Sequence, residues 1–175
     1  MRALLLIPVL AGALAAQNPV PPAEQQVTAA VLPLPADLRA GATVLGYRDR
    51  GTLSVLRQGT NRMICLALYV ERTDFHVSCY HDGLEPFMRR GRELRAQGMG
   101  SAEVDSVRFR EIRSGALVMP AQAALYSLFA KKEDFNTATG VLSNGRPLSV
   151  VYVPGATAES TGLSTLPTQA VLAAS

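Results

Sequence analysis

Two cysteines and two histidines fall close together in this chain: Cys65 precedes His76-Val77-Ser78-Cys79-Tyr80-His81, and Asp82 follows at once. Imidazole nitrogens and thiolates are zinc ligands, so His76, Cys79, His81 and Cys65 have the chemistry of a tetrahedral centre, although their spacing matches no common zinc pattern. A metal-dependent enzyme or a hydrolase centred on His76, Cys79 and His81 is one reading, with His81 as a base for a Cys79 thiolate. The other is that the sulfurs join. Cys65 and Cys79 are the only cysteines, and in an oxidising compartment a lone pair within one domain forms a disulfide. Closing that loop restricts the unfolded chain by about 3 kcal/mol in the chain-entropy picture. The expectation is therefore a disulfide and no metal, with His76, His81 and Asp82 left as a candidate polar site.

The compartment decides between these readings, and the first residues point to it. Met1-Arg2 is a basic tip, followed by an apolar run from Ala3 to Ala16 that ends in small residues. That is the layout of a secretory signal peptide, and Ala13-Leu14-Ala15 places its cleavage after residue 15. The run is shorter than the ~20 residues a membrane span needs, and no later stretch is apolar enough to supply one. The protein is expected to be secreted or periplasmic, with no span after the leader is removed.

Composition narrows the function classes. The 175 residues carry a formal net charge of +3, which is too small to argue for nucleic acid by itself. There is no tryptophan and only 6% aromatic residues, which counts against sugar-stacking and single-strand-binding surfaces. No nucleic-acid partner and no cofactor are expected. The chain has no Gly-x-Ser-x-Gly elbow, no phosphate-cradling glycine loop and no Cys-x-x-Cys, and its carboxylates are scattered, so catalysis is disfavoured.

The elements that would position these residues are legible in outline. Residues 16–41 hold five prolines, Pro19, Pro21, Pro22, Pro33 and Pro35, and read as an arm or linker around a short helical stretch from Ala23 to Leu32. Residues 42–155 read as the folded domain, and 156–175 as a loosely held tail. Within the domain, Thr43 to Tyr47, Leu53 to Leu56 and Met63 to Leu68 are β-prone runs. Asp49-Arg50-Gly51 and Gly59-Thr60-Asn61 separate them as turns, which predicts an antiparallel meander. Leu84, Phe87, Met88, Gly91 and Leu94 recur at helical spacing behind a cap at Asp82 or Gly83, and Gly98 ends the helix.

Arg89, Arg90, Arg92 and Arg95 fall on that helix's outer face. Arg89, Arg92 and Arg95 are candidates for an anionic ligand, although a solvated face with Glu85, Glu93 and Glu111 as local counter-charges is the simpler explanation. A second helix is expected from Ser101 towards Ile112. Strands are expected at Leu117-Val118-Met119 and Ala124 to Phe129, and a hairpin about Asn144-Gly145. The predicted class is α+β: a small antiparallel sheet of meander plus hairpin, one or two amphipathic helices packed on it, and one disulfide. Taken together, the chain reads as a non-catalytic binding or interaction module.

Several segments, Gly59-Thr60-Asn61-Arg62-Met63-Ile64-Cys65, Val77-Ser78-Cys79-Tyr80-His81, Arg90-Gly91-Arg92-Glu93-Leu94 and Tyr152-Val153-Pro154-Gly155-Ala156, together resemble a family of uncharacterised secreted bacterial proteins. The resemblance implies export and carries no activity or catalytic residue. It also implies a further strand beyond Thr161-Gly162-Leu163, where this sequence instead continues Leu166-Pro167-Thr168-Gln169.

Overall fold

A computed structural model describes residues 19–164; the expected leader and the last part of the expected tail lie outside the described residues. Two helices come first, α1 (Ala23–Ala30) and α2 (Ala36–Arg39). Strands β1 (Thr43–Tyr47), β2 (Leu53–Arg57), β3 (Met63–Leu66) and β4 (Asp74–His81) follow. A 3-10 turn over Asp82–Leu84 leads into α3 (Glu85–Ala96), and then comes α4 (Ser101–Arg113). The described residues end in β5 (Ala123–Lys131), β6 (Phe135–Asn136), β7 (Val141–Leu142), β8 (Arg146–Tyr152) and α5 (Ala158–Thr161). The class is α+β, as expected.

Six strands form one sheet in the order β2-β1-β3-β4-β5-β8, and β6 pairs with β7 beside it. One pairing departs from the expected meander: β1 and β3 run parallel, with Val44 opposite Cys65. The reason lies in the Gly59-Thr60-Asn61 turn. Its Thr60 and Asn61 N–H groups both donate to the Gly41 carbonyl, at 2.7 and 2.9 Å, and carry the chain back past the start of β1, so that β3 enters on the side opposite β2. Only glycine fits at 59, since a Cβ there would stand 2.3 Å from the Thr43 nitrogen.

Two further expectations change. Asn144 does reverse the chain, at φ 52°, but the strands on either side of it do not pair with each other. β7 joins β6 and β8 joins β5, because Ala123 to Phe129 offers β8 a longer partner. Leu117-Val118-Met119 is not a strand. It is a connection in which Val118 is 73% exposed while Met119 reaches the core, a single inward contact that a short apolar run cannot distinguish from a period of two.

Alternation along the strands sorts side chains to two faces. Val44, Met63, Cys65 and Cys79 meet Ala30, Val31 and Leu34 from the N-terminal segment, and Phe75 and Val77 meet Ala29 on the same side. Residues 19–41 are thus not a free arm: they supply part of the core. Pro22 and Pro35 stand at helix starts, where proline is tolerated and its fixed φ is already suitable, instead of stiffening a linker. Gln26, 4% exposed, fastens α1 to β1. Its Nε2 donates to the Tyr47 carbonyl at 2.7 Å and its Oε1 accepts the Tyr47 N–H at 2.8 Å.

On the other face, Tyr80, Leu125 and Ala123 pack with Leu84 and with Met88 of α3. α4 lies against α3, where Arg90 grips both Glu111 oxygens and the rings of Phe87 and Phe109 approach to 6.4 Å between centroids.

Candidate functional site

Cys65 and Cys79 are opposite each other in the β3–β4 ladder and are joined, as expected, with Cα atoms 4.0 Å apart. Both are fully buried, and the Ala30 carbonyl oxygen lies 3.1 Å from Cys79 Sγ. That is a packing contact, since a disulfide sulfur has no proton to donate. The bond occupies both sulfurs, so neither a thiolate nucleophile nor a sulfur-ligated metal is available from them.

The histidines do not converge. His76 and Cys79 are an odd number of residues apart on β4, so their side chains leave opposite faces of the strand, and the alternative centre of His76, Cys79 and His81 does not assemble. No group of three or more histidine, cysteine, aspartate or glutamate residues is arranged to hold a metal among the described residues. His81 ends β4, and its Nδ1 accepts the Gly83 N–H at 3.1 Å, so this histidine caps a 3-10 turn over Asp82–Leu84, and the N-cap position of α3 falls to Leu84 and not to the expected Asp82 or Gly83. The same ring nitrogen lies 3.4 Å from Asp82 Oδ1. Asp82 is paired with Arg62 at 2.8 Å, which lowers its pKa. The expected polar trio therefore divides: His81 and Asp82 are neighbours, and His76 lies elsewhere.

What His76 does meet is a hydroxyl chain. Its Nε2 lies 3.2 Å from Ser78 Oγ, which lies 2.9 Å from Ser127 Oγ across the β4–β5 ladder. The imidazole stacks on Phe129 with centroids 4.2 Å apart. Partial burial, and next the Arg72 charge, lower its pKa and favour the neutral ring. A base beside a serine is one requirement of acyl transfer, and a group that orients the base is another. Asp74, two residues before His76 on the same strand face, gives its two oxygens to Arg72 at 2.8 Å each, so it does not orient the imidazole.

Around this chain the sheet is only partly covered. α3 closes the end that carries Tyr80, whereas His76, Ser78 and Phe129 at the other end are part-exposed and Leu148 is 49% exposed. Arg146 stands beside Phe129 in the ladder and is exposed. The result is an apolar, aromatic surface crossed by a short polar line, with arginines at its edge.

The arginine helix face is largely satisfied internally. Arg89 and Arg92 both bind Glu85 Oε1, at 3.3 and 2.7 Å, and Arg92 also donates to Tyr80 Oη at 3.0 Å. Of the expected anion-binding trio, only Arg95 has no side-chain partner among the described residues. The Tyr80–Glu85–Arg92 network was not anticipated. Tyr80 donates to Glu85 Oε2 at 2.6 Å, and desolvation raises its pKa far above the ordinary phenol value. The helical i,i+7 spacing of Glu85 and Arg92 was visible in the sequence. The strand that brings Tyr80 to them was not.

Two clefts adjoin α1. One, of ≈ 470 Å³, is bounded by Pro19, Pro21, Leu68, Phe75 and Phe135 with Lys132 at its margin, and the other, of ≈ 490 Å³, by Glu24, Thr28, Thr137 and Thr139. Lys132 Nζ donates to the carbonyls of Arg72 and Val70, so its hydrogens are partly committed to backbone. No helix among the described residues is long and apolar enough to cross a membrane. No family model matches the chain, and neither a curated protein nor a solved structure matches it.

Proposed function

We propose that the protein is an exported, non-catalytic binding module whose recognition surface is the part-open sheet face around His76, Ser78, Phe129 and Leu148. The observation that carries this reading is that face itself: stacked aromatic and apolar groups remain accessible beside a line of hydroxyls, the mixture that suits an amphipathic ligand. Export is supported by the leader-like N-terminus and by the disulfide, which persists in oxidising compartments. Full-length protein made in a bacterial host is expected in the periplasm or medium, shortened by the leader and without titratable thiol. Recovery from the cytosol at full length with free sulfhydryls would sink the export half.

A hydrolase is the competing reading, favoured by the 3.2 Å contact between His76 and Ser78. Chromogenic esters, phosphoesters and glycosides separate the two. The binding-module reading expects no turnover above buffer, and turnover that disappears in both His76→Ala and Ser78→Ala overturns it.

A further inference from the structure

The arginines of the α3–α4 layer are not equivalent. Arg89, Arg90 and Arg92 each hold a carboxylate, but Arg95 and Arg108 converge on Gly91 with a single acidic partner between them among the described residues. Arg108 Nη1 lies 2.8 Å and Arg95 Nη1 3.3 Å from the point where a Gly91 Cβ would stand. Two guanidinium groups brought to one point repel unless something negative lies between them.

Arg108 is also under-satisfied. Its residue exposure is 7%, its Nη2 binds Asp105, and its Nη1 reaches the Phe87 carbonyl only at 3.4 Å. Its buried Nε has no hydrogen-bond partner among the described residues. A guanidinium carries five N–H donors, and a buried charge is costly unless its donors are met. The group is nonetheless held in place, because its Cζ stands over the Phe87 ring at 3.8 Å from the centroid. Asp105 is half exposed, with 50% of its side-chain surface accessible, so its charge is partly screened by water.

We infer that the α3–α4 seam holds a phosphate or sulfate oxyanion between Arg95 and Arg108, over the Cβ-free surface of Gly91. The missing side chain at Gly91 lets the Arg108 and Arg95 guanidinium groups settle against the α3 backbone, so that a fixed buried guanidinium supplies one wall and an exposed one, without an acidic partner among the described residues, closes over the other. The planar forks of arginine suit such oxygens. The site uses none of the residues on the part-open sheet face, so its failure would leave the proposed recognition surface standing.

The test is calorimetric titration of the full protein at low ionic strength with inorganic phosphate, glycerol phosphate and sulfate. Saturable one-site binding is expected, weakening as salt rises. Arg95→Gln should weaken it about tenfold or more, the effect of losing a charge-assisted contact. Arg95 is exposed, so this variant should keep the wild-type melting temperature. Arg89→Gln should leave affinity unchanged, and Gly91→Ala should reduce it by pushing the Arg108 guanidinium from its seat. Tighter binding of glycerol phosphate than of inorganic phosphate would assign the group to an esterified source, and the reverse order to the free ion. Absence of saturable binding overturns the site, as does a loss in Arg89→Gln equal to that in Arg95→Gln, which would mark diffuse charge.

Discussion

The two faces of the central sheet are finished differently. On one, α1, the segment through Leu34 and the Cys65–Cys79 bond form a closed core in which Phe75, Val44 and Cys79 have no exposed surface. On the other, α3 covers the Tyr80 end and leaves His76, Phe129 and Leu148 in contact with solvent. The difference separates two duties within a single strand: alternate residues of β4 serve stability on one side and remain available for contact on the other.

If that division is right, the largest effect belongs to the closed face. Phe75→Ala should cost about 3–5 kcal/mol, the usual range for removing a fully buried ring, read as a shift in the denaturant midpoint. A cost below about 1 kcal/mol would mean the core collapses over the gap and the faces are less distinct than drawn. Next is the disulfide. Replacing Cys65 and Cys79 together by alanine should cost about 3 kcal/mol, from the freedom returned to the unfolded chain. Adding a reductant should then change the stability of the wild type only.

His76 gives a smaller, pH-dependent signature. Its folded pKa lies below its unfolded value, so the unfolded chain binds more protons and stability rises with pH across that interval. Acidification should begin to destabilise the protein as pH falls through the ordinary imidazole value, near 6.5, and the loss should be complete below the folded pKa. His76→Gln should remove this step and leave the more acidic losses from Asp74 and Asp82, whose pKa values are lowered by Arg72 and Arg62. Imidazole proton shifts followed by NMR would check the order. Smallest of all, Leu148→Ser on the part-open face should move stability by no more than about 0.5 kcal/mol while disturbing ligand contact.

Much of this frame was legible beforehand, and the gaps have identifiable causes. α3 and α4 were visible because Leu84, Phe87, Leu94 and Val104 repeat at helical spacing over long segments. The disulfide followed from a lone pair of cysteines. The parallel β1–β3 pairing was hidden because Gly59-Thr60-Asn61 looks like any tight turn until its N–H groups are seen to share the Gly41 carbonyl. The core role of residues 19–41 was hidden because proline at a helix start and proline in a linker read alike. The candidate site was the least legible part: His76 meets Phe129 and Ser78 meets Ser127, both far along the chain, through a ladder whose register no local pattern specifies.

The side chain of Gln26 adds a consequence for assembly. By pairing both ways with the Tyr47 backbone, it behaves as a one-residue strand laid against the end of β1. Apolar surfaces alone would tolerate a slide along the sheet, but an amide that meets both the N–H and the carbonyl of one residue, and is itself steadied by the Pro21 carbonyl, acts like a key in a keyway. The first helix is therefore seated at a single notch, and a chain that misses it forfeits two buried hydrogen bonds at once.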